Sequence, residues 1–181
     1  MKTKTKTHYA ILKLVYSAVC LALCMVLPFL TGQIPEIGSM LCPLHIPVLL
    51  AGFLCGPWWA MGVGFIAPAL RYLLFSMPPL LPAGIPMMFE LLAYGLVVGV
   101  LYRALPPKPG YVYVSLIGGM MVGRVVWGIA AMIVYSAMSQ PFTWTVFFAG
   151  AVANAIPGII LHILLVPALV FALRKAKIIV K

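Results

Sequence analysis

Apolar residues run through this chain in long blocks, interrupted by short groups of proline, glycine and charge rather than by alternating polar faces. Six blocks stand out, at residues 9–28, 45–56, 58–76, 85–105, 111–137 and 143–173. Uninterrupted apolar stretches of this kind predict membrane-spanning helices, since a helix rising 1.5 Å per residue needs about 20 residues to cross ~30 Å of hydrocarbon. The second block is too short to cross upright and carries Pro47 near its start, so it reads as a short, proline-interrupted or half-buried span. Gly56-Pro57 predicts a tight turn, Met77-Pro78-Pro79 with Leu81-Pro82 a rigid outer loop, and Pro106-Pro107-Lys108-Pro109-Gly110 an inner loop. Ser139-Gln140-Pro141 predicts another outer turn, and Pro157 and Pro167 are expected to bend the sixth span. The expected architecture is an all-α integral membrane protein, a six-helix transmembrane bundle forming a single domain over residues 1–181.

Composition supports the membrane reading. Of the 181 residues 65% are apolar and only 8% charged, and a soluble domain of this size could not hide so much hydrocarbon. Twelve Lys and Arg face two acidic residues, Glu36 and Glu90. The basic residues are not spread evenly. Lys2, Lys4, Lys6 and Lys13 open the chain, Arg103 and Lys108 flank one loop, and Arg174, Lys175, Lys177 and Lys181 close it. All three outer connections lack Lys and Arg, so the positive-inside rule places both termini in the cytoplasm. The basic clusters then report orientation and contact with the lipid bilayer, and no nucleic-acid partner is expected. The basic start resembles a signal peptide, but no small-x-small cleavage site follows, and the first block is read as a retained helix.

Several chemistries are excluded by what the sequence lacks. Without Asp there is no Walker B carboxylate, and without a Gly-Lys pair there is no Walker A loop, so the chain cannot hydrolyse nucleotides by itself. Cys20, Cys24, Cys42 and Cys55 have no metal-type spacing and predict neither a disulfide framework nor a metal site. No cofactor is implied.

Small residues recur at four-residue spacing: Ala18 and Ala22 in the first span, Gly95 and Gly99 in the fourth, Gly119 and Gly123 in the fifth. Such pairs let helix backbones approach closely in lipid. Most are expected to serve internal packing, and the Ala18/Ala22 strip is the best candidate for docking another protein.

The polar residues inside the blocks are few, and each ionisable one costs about 2.5–3.5 kcal/mol on insertion scales. They are Arg71, Glu90, Arg124, Asn154 and His162. Arg71 and Glu90 fall about 8 Å from the outer ends of their spans, Arg124 and Asn154 about 17–20 Å, by the helical rise. One reading is structural, with an Arg71–Glu90 ion pair locking spans three and four and Asn154 bonding a neighbouring helix. The other is a pocket open outward, in which Arg124 presents its planar fork to an anionic ligand. Trp127 lies one turn from Arg124, Tyr94 one turn from Glu90 and Phe147 about two turns from Asn154, so aromatic rings could hold the apolar body of a small molecule. His45 and His162 are read as packing or hydrogen-bonding groups rather than ligands.

One stretch, Gly38-Ser-Met-Leu-Cys-Pro-Leu-His45-Ile-Pro-Val-Leu-Leu-Ala-Gly52-Phe-Leu-Cys-Gly56-Pro57, resembles the loop-plus-second-helix signature of substrate-binding S components of energy-coupling factor (ECF) vitamin transporters. Gly62-Val-Gly64-Phe-Ile-Ala-Pro68, Met77-Pro78-Pro79 and Phe89-Glu90-Leu-Leu-Ala-Tyr94-Gly95 continue the resemblance, which covers nearly the whole chain. It implies a six-helix, multi-pass protein of the prokaryotic plasma membrane. Such a protein binds one vitamin or precursor near the extracellular face and docks onto a T component served by two cytoplasmic ATPases. The family's first helix meets the T component through an Ala-x-x-x-Ala strip, matched by Ala18 and Ala22. The pocket residues then expected are Arg124, Asn154, Glu90, Arg71, Trp127 and Tyr94; Arg124 with Asn154 favours an anionic cargo, with pantothenate as the first candidate and a neutral pyrimidine such as the thiamine precursor, or another vitamin, as the alternative.

Two other classes compete. A stand-alone proton-coupled transporter could use Glu90 as its carrier, but no inverted repeat relates the two halves. A small intramembrane enzyme would need a nucleophile elbow, a metal motif or paired aspartates, and none is present.

Overall fold

The structure, a computed structural model, describes residues 6–31, 34–150 and 155–179. It contains eight α-helices and no strand among these residues: α1 (Lys6–Val26), α2 (Pro35–Leu41), α3 (His45–Leu54), α4 (Pro57–Phe75), α5 (Ile85–Ala104), α6 (Gly110–Ala137), α7 (Trp144–Phe148) and α8 (Ile156–Lys175). Short helical turns at Leu27–Thr31 and Leu80–Gly84 extend α1 and lead into α5. Proline begins α2 and α4 and takes the second position of α5 and α8, where its missing N–H costs nothing. Cys42 and Ser76 end α2 and α4 in the left-handed conformation, at φ of 48° and 55°.

Five helical stretches are long and apolar enough to cross a membrane: Lys6–Leu30, Pro57–Phe75, Leu80–Ala104, Gly110–Ala137 and Ile156–Lys175. The chain is a multi-pass membrane protein on this composition. The ten residues of α3 rise only about 15 Å, too little to span. Instead α3 is the most enclosed element, with all residues from His45 to Phe53 buried. It packs against α1, α4, α5 and α8, and its Val48, Leu49, Ala51 and Phe53 join Leu91, Val98, Val166 and Val170 in the core.

The largest interfaces join α5 to α4 and to α6. Glycine makes both possible. A methyl group on Gly95 would press on the Ala60 carbonyl and lie 2.9 Å from the Met61 nitrogen, and one on Gly64 would lie 2.9 Å from the Leu92 nitrogen. On α6, Gly119 receives Val98 and Gly123 receives the ring of Tyr94. The small-residue pairs of spans four and five are therefore internal packing devices.

One end of the bundle is fastened by basic side chains. Arg103 Nη2 donates to the Cys55 carbonyl at 3.1 Å, beside Gly56, whose φ of 87° turns α3 into α4. Arg174 Nε donates to the Tyr102 hydroxyl at 2.8 Å and its guanidinium lies 5.1 Å from that ring.

Within residues 143–173, expected as one span, the described helices are α7 and α8, and Ala155 lies in a turn before Ile156. Pro157 sits in the first turn of α8, where proline is tolerated, and Pro167 lies inside α8.

Candidate functional site

A cavity of about 390 Å³ lies at the end of the bundle opposite Arg103 and Arg174. Its walls come from the segment before α3, the end of α4, the Met77–Pro86 connection, the start of α5 and the C-terminal half of α6. Most of that wall is apolar, built from proline, methionine and leucine with Trp127 and Tyr135. The polar residues are few: His45, Glu90 and Arg124, with Cys42, and Arg71 on another part of the wall.

Glu90 is the centre of this group. Its carboxylate is 2% exposed and has three partners from three helices. Arg124 Nη1 lies 3.0 Å from Oε1, the Tyr94 hydroxyl donates to the same oxygen at 3.0 Å, and His45 Nε2 lies 3.5 Å from Oε2. A carboxylate so deep in apolar surroundings persists only when opposing charge and donors compensate its lost hydration. The ion pair is thus Arg124–Glu90, joining α6 to α5, and the expected Arg71–Glu90 pair does not form among the described residues. Arg71 is buried elsewhere on the wall. Its Nη1 donates to the Met25 carbonyl at 2.7 Å, and the guanidinium lies 5.3 Å and 5.0 Å from the ring centroids of Phe29 and Phe75.

The histidines divide. His162 is 1% exposed and its Nε2 donates to the Cys42 carbonyl at 3.3 Å, tying α8 to the segment before α3. His45 stacks on it, with centroids 5.8 Å apart and planes 18° apart, while Tyr94 meets the His45 ring edge-on at 5.3 Å. Two buried groups are left with unused capacity: neither ring nitrogen of His45 has a hydrogen-bond partner, and neither has Arg124 Nε, among the described residues. Burial pushes the Cys42 thiol up to about 11, with Glu90 adding to the rise and Arg124 opposing it, so it is a neutral wall group rather than a nucleophile or thiolate ligand.

Of the residues expected from sequence, Arg124, Glu90, Arg71 and Trp127 all line the cavity. Tyr94 is fully buried and acts on the site through Glu90. Asn154 lies outside the described residues. Trp127 packs over Gly150 and lies 6.2 Å from Phe147, so the aromatic cluster closes the wall between α6 and α7. His45 is the residue that sequence reasoning assigned to packing and that the fold brings into the polar group. Its signal was faint, a histidine opening an otherwise wholly apolar helix.

No cluster of three metal-ligating side chains occurs among the described residues. The fold and the cavity together define a multi-pass membrane protein with an internal site of small-molecule size. The family model for the ECF transporter, substrate-specific component, matches residues 12–170, and the chain belongs to that family. The family is a transporter subunit rather than an enzyme family; its members bind a small-molecule substrate and work with a T component and ATPases. Comparison with curated proteins and with solved structures finds no significant match in either.

Proposed function

We propose that this chain is the high-affinity binding subunit of an ECF-type importer, which captures a vitamin or vitamin precursor on the extracellular side of the cell membrane. Cargo leaves it through a T component driven by two separate ATPases. The observation carrying this reading is Arg124. It lines the cavity, one of its nitrogens is held by Glu90, and its Nε–H is buried without a partner. A carboxylate bound there would satisfy that donor. The cargo is accordingly an organic acid, with pantothenate first. The basic residues Arg103 and Arg174 fasten the opposite end of the bundle, and the positive-inside rule makes that end cytoplasmic, which supports a cavity facing outward. Glu90, held by Arg124, Tyr94 and His45, is poorly suited to act as a free proton carrier.

Mass spectrometry of small molecules co-purifying with the detergent-extracted protein tests the cargo. An organic acid is expected, and a neutral or cationic compound would overturn the anionic reading. Arg124→Lys keeps a positive charge facing Glu90 but loses the Nε donor. It is expected to weaken pantothenate binding about 10- to 100-fold, the loss of one hydrogen bond to a charged group, with thermal stability near that of the parent.

The partner assignment rests on α1. Ala18 and Ala22 are exposed while Ser17, Cys20 and Cys24 turn inward, so the small-residue strip faces away from the bundle. Changing both alanines to phenylalanine is expected to abolish co-purification with the T component and leave cargo binding unchanged. Loss of cargo binding in that variant would assign the strip to internal packing instead.

A further inference from the structure

We infer that His45 contacts the cargo directly and selects, among carboxylic acids, those that also carry a hydroxyl or amide N–H. The inference rests on the proposed binding of an organic acid at Arg124 and adds a second recognition element to it.

His45 and His162 are a natural comparison. Both are almost completely buried, and their rings are stacked on one another. His162 is satisfied by the Cys42 carbonyl, as a packing histidine should be. His45 lines the cavity and has no hydrogen bond at either nitrogen. Its ring cannot readily turn to find one, because His162 covers one face and Tyr94 abuts it edge-on. Nε2 faces the Glu90 carboxylate at 3.5 Å, an acceptor-only group, so the favoured tautomer places the proton there. Nδ1 is then left as an acceptor, and what it lacks is a donor.

The two unsatisfied groups therefore ask for opposite chemistry. Arg124 Nε–H wants an acceptor and His45 Nδ1 wants a donor, and both belong to residues that line a largely apolar cavity. A hydroxy- or amido-carboxylic acid with a compact apolar body meets both demands within about 390 Å³. A simple acid meets only one, and a polyol without an acid group only the other. A site built to hydrogen-bond a donor discriminates strongly against analogues that lack it, because its own buried group is left unpaired.

The test uses the purified full-length protein titrated with four probes: pantothenate and biotin, which carry a carboxylate plus hydroxyl or N–H donors; nicotinate, a carboxylate without such a donor; and pyridoxine, with hydroxyls but no carboxylate. Pantothenate or biotin is expected to bind at least about 100-fold tighter than the other two. Two variants separate cargo contact from a structural role. Asparagine places its amide near the Nδ1 position, whereas glutamine reaches the Nε2 position facing Glu90. If His45 contacts cargo, His45→Asn retains more affinity than His45→Gln. If His45 serves only to support Glu90, the order reverses, and that overturns the inference. Tightest binding of nicotinate or pyridoxine, or binding of none of the four, overturns it equally. Preference for biotin over pantothenate would remove the pantothenate assignment while leaving the role of His45 intact.

Discussion

Glu90→Ala is expected to destabilise the protein by about 2–4 kcal/mol, because it leaves the partly buried Arg124 guanidinium without its counter-charge. Thermal unfolding of the ligand-free protein in detergent measures this directly. The effect should fall on stability and cargo binding together, since the same carboxylate holds Arg124 and Tyr94 in place. A paired replacement separates the two. Glu90→Leu combined with Arg124→Met removes both charges at once, and apolar substitution of a whole buried pair is often neutral or better. The double variant should therefore regain most of the lost stability and still bind no organic acid. A single Glu90→Ala variant within about 1 kcal/mol of the parent would mean the carboxylate is solvated, contrary to its 2% exposure.

Gly95→Leu is the second large effect. The obstacle to a side chain at Gly95 is the α4 backbone at Ala60 and Met61, not a flexible side chain that could swing aside. Gly64 meets the α5 backbone at Leu91 and Leu92 in the same way, so the two helices are in mutual backbone contact. Even one added methylene in a packed interior costs about 1–3 kcal/mol, and a side chain of leucine size would have to part α4 from α5. The expected result is loss of monodisperse protein on gel filtration. Gly62 of α4 supplies the control, because nothing lies within 4 Å of a methyl group there. Gly62→Leu should elute and unfold like the parent; if it fails as badly as Gly95→Leu, general insertion rather than the α4–α5 contact is the cause.

The apolar blocks and proline positions made most of the helices legible, because membrane helices announce themselves by length and composition alone. The small-residue pairs of α5 and α6 were legible for the same reason: spacing of four places them on one face. The partner of Glu90 was not. Counting residues from helix ends put Arg124 about 12 Å deeper than Glu90 and nearer to nothing acidic. That arithmetic assumes that helix ends lie level. The 28 residues of α6 extend about 42 Å, beyond the ~30 Å hydrocarbon, so its C-terminal end is a poor depth marker. Tyr94 was found because it shares a helix with Glu90, at the i, i+4 spacing that brings side chains together. His45 was not found as a site residue because it approaches from a different helix, 45 positions away in sequence, where no periodicity operates. The start of α8 at Ile156, after a turn at Ala155, was hidden by continuous apolarity, which reports a lipid environment and says little of where one helix begins.

The shortness of α3 has a consequence for how such a protein could change its cargo. Because so short a helix does not extend along that side of the cavity, the wall there is supplied by Gly38 of α2 and by Cys42, Pro43 and Leu44, with only His45 of α3 reaching the lining. The polar group of His45, Glu90 and Arg124 stands on helices, while much of the surrounding wall is connecting chain, which tolerates change in length and composition better than a helix does. Size and selectivity therefore reside in different parts of the fold.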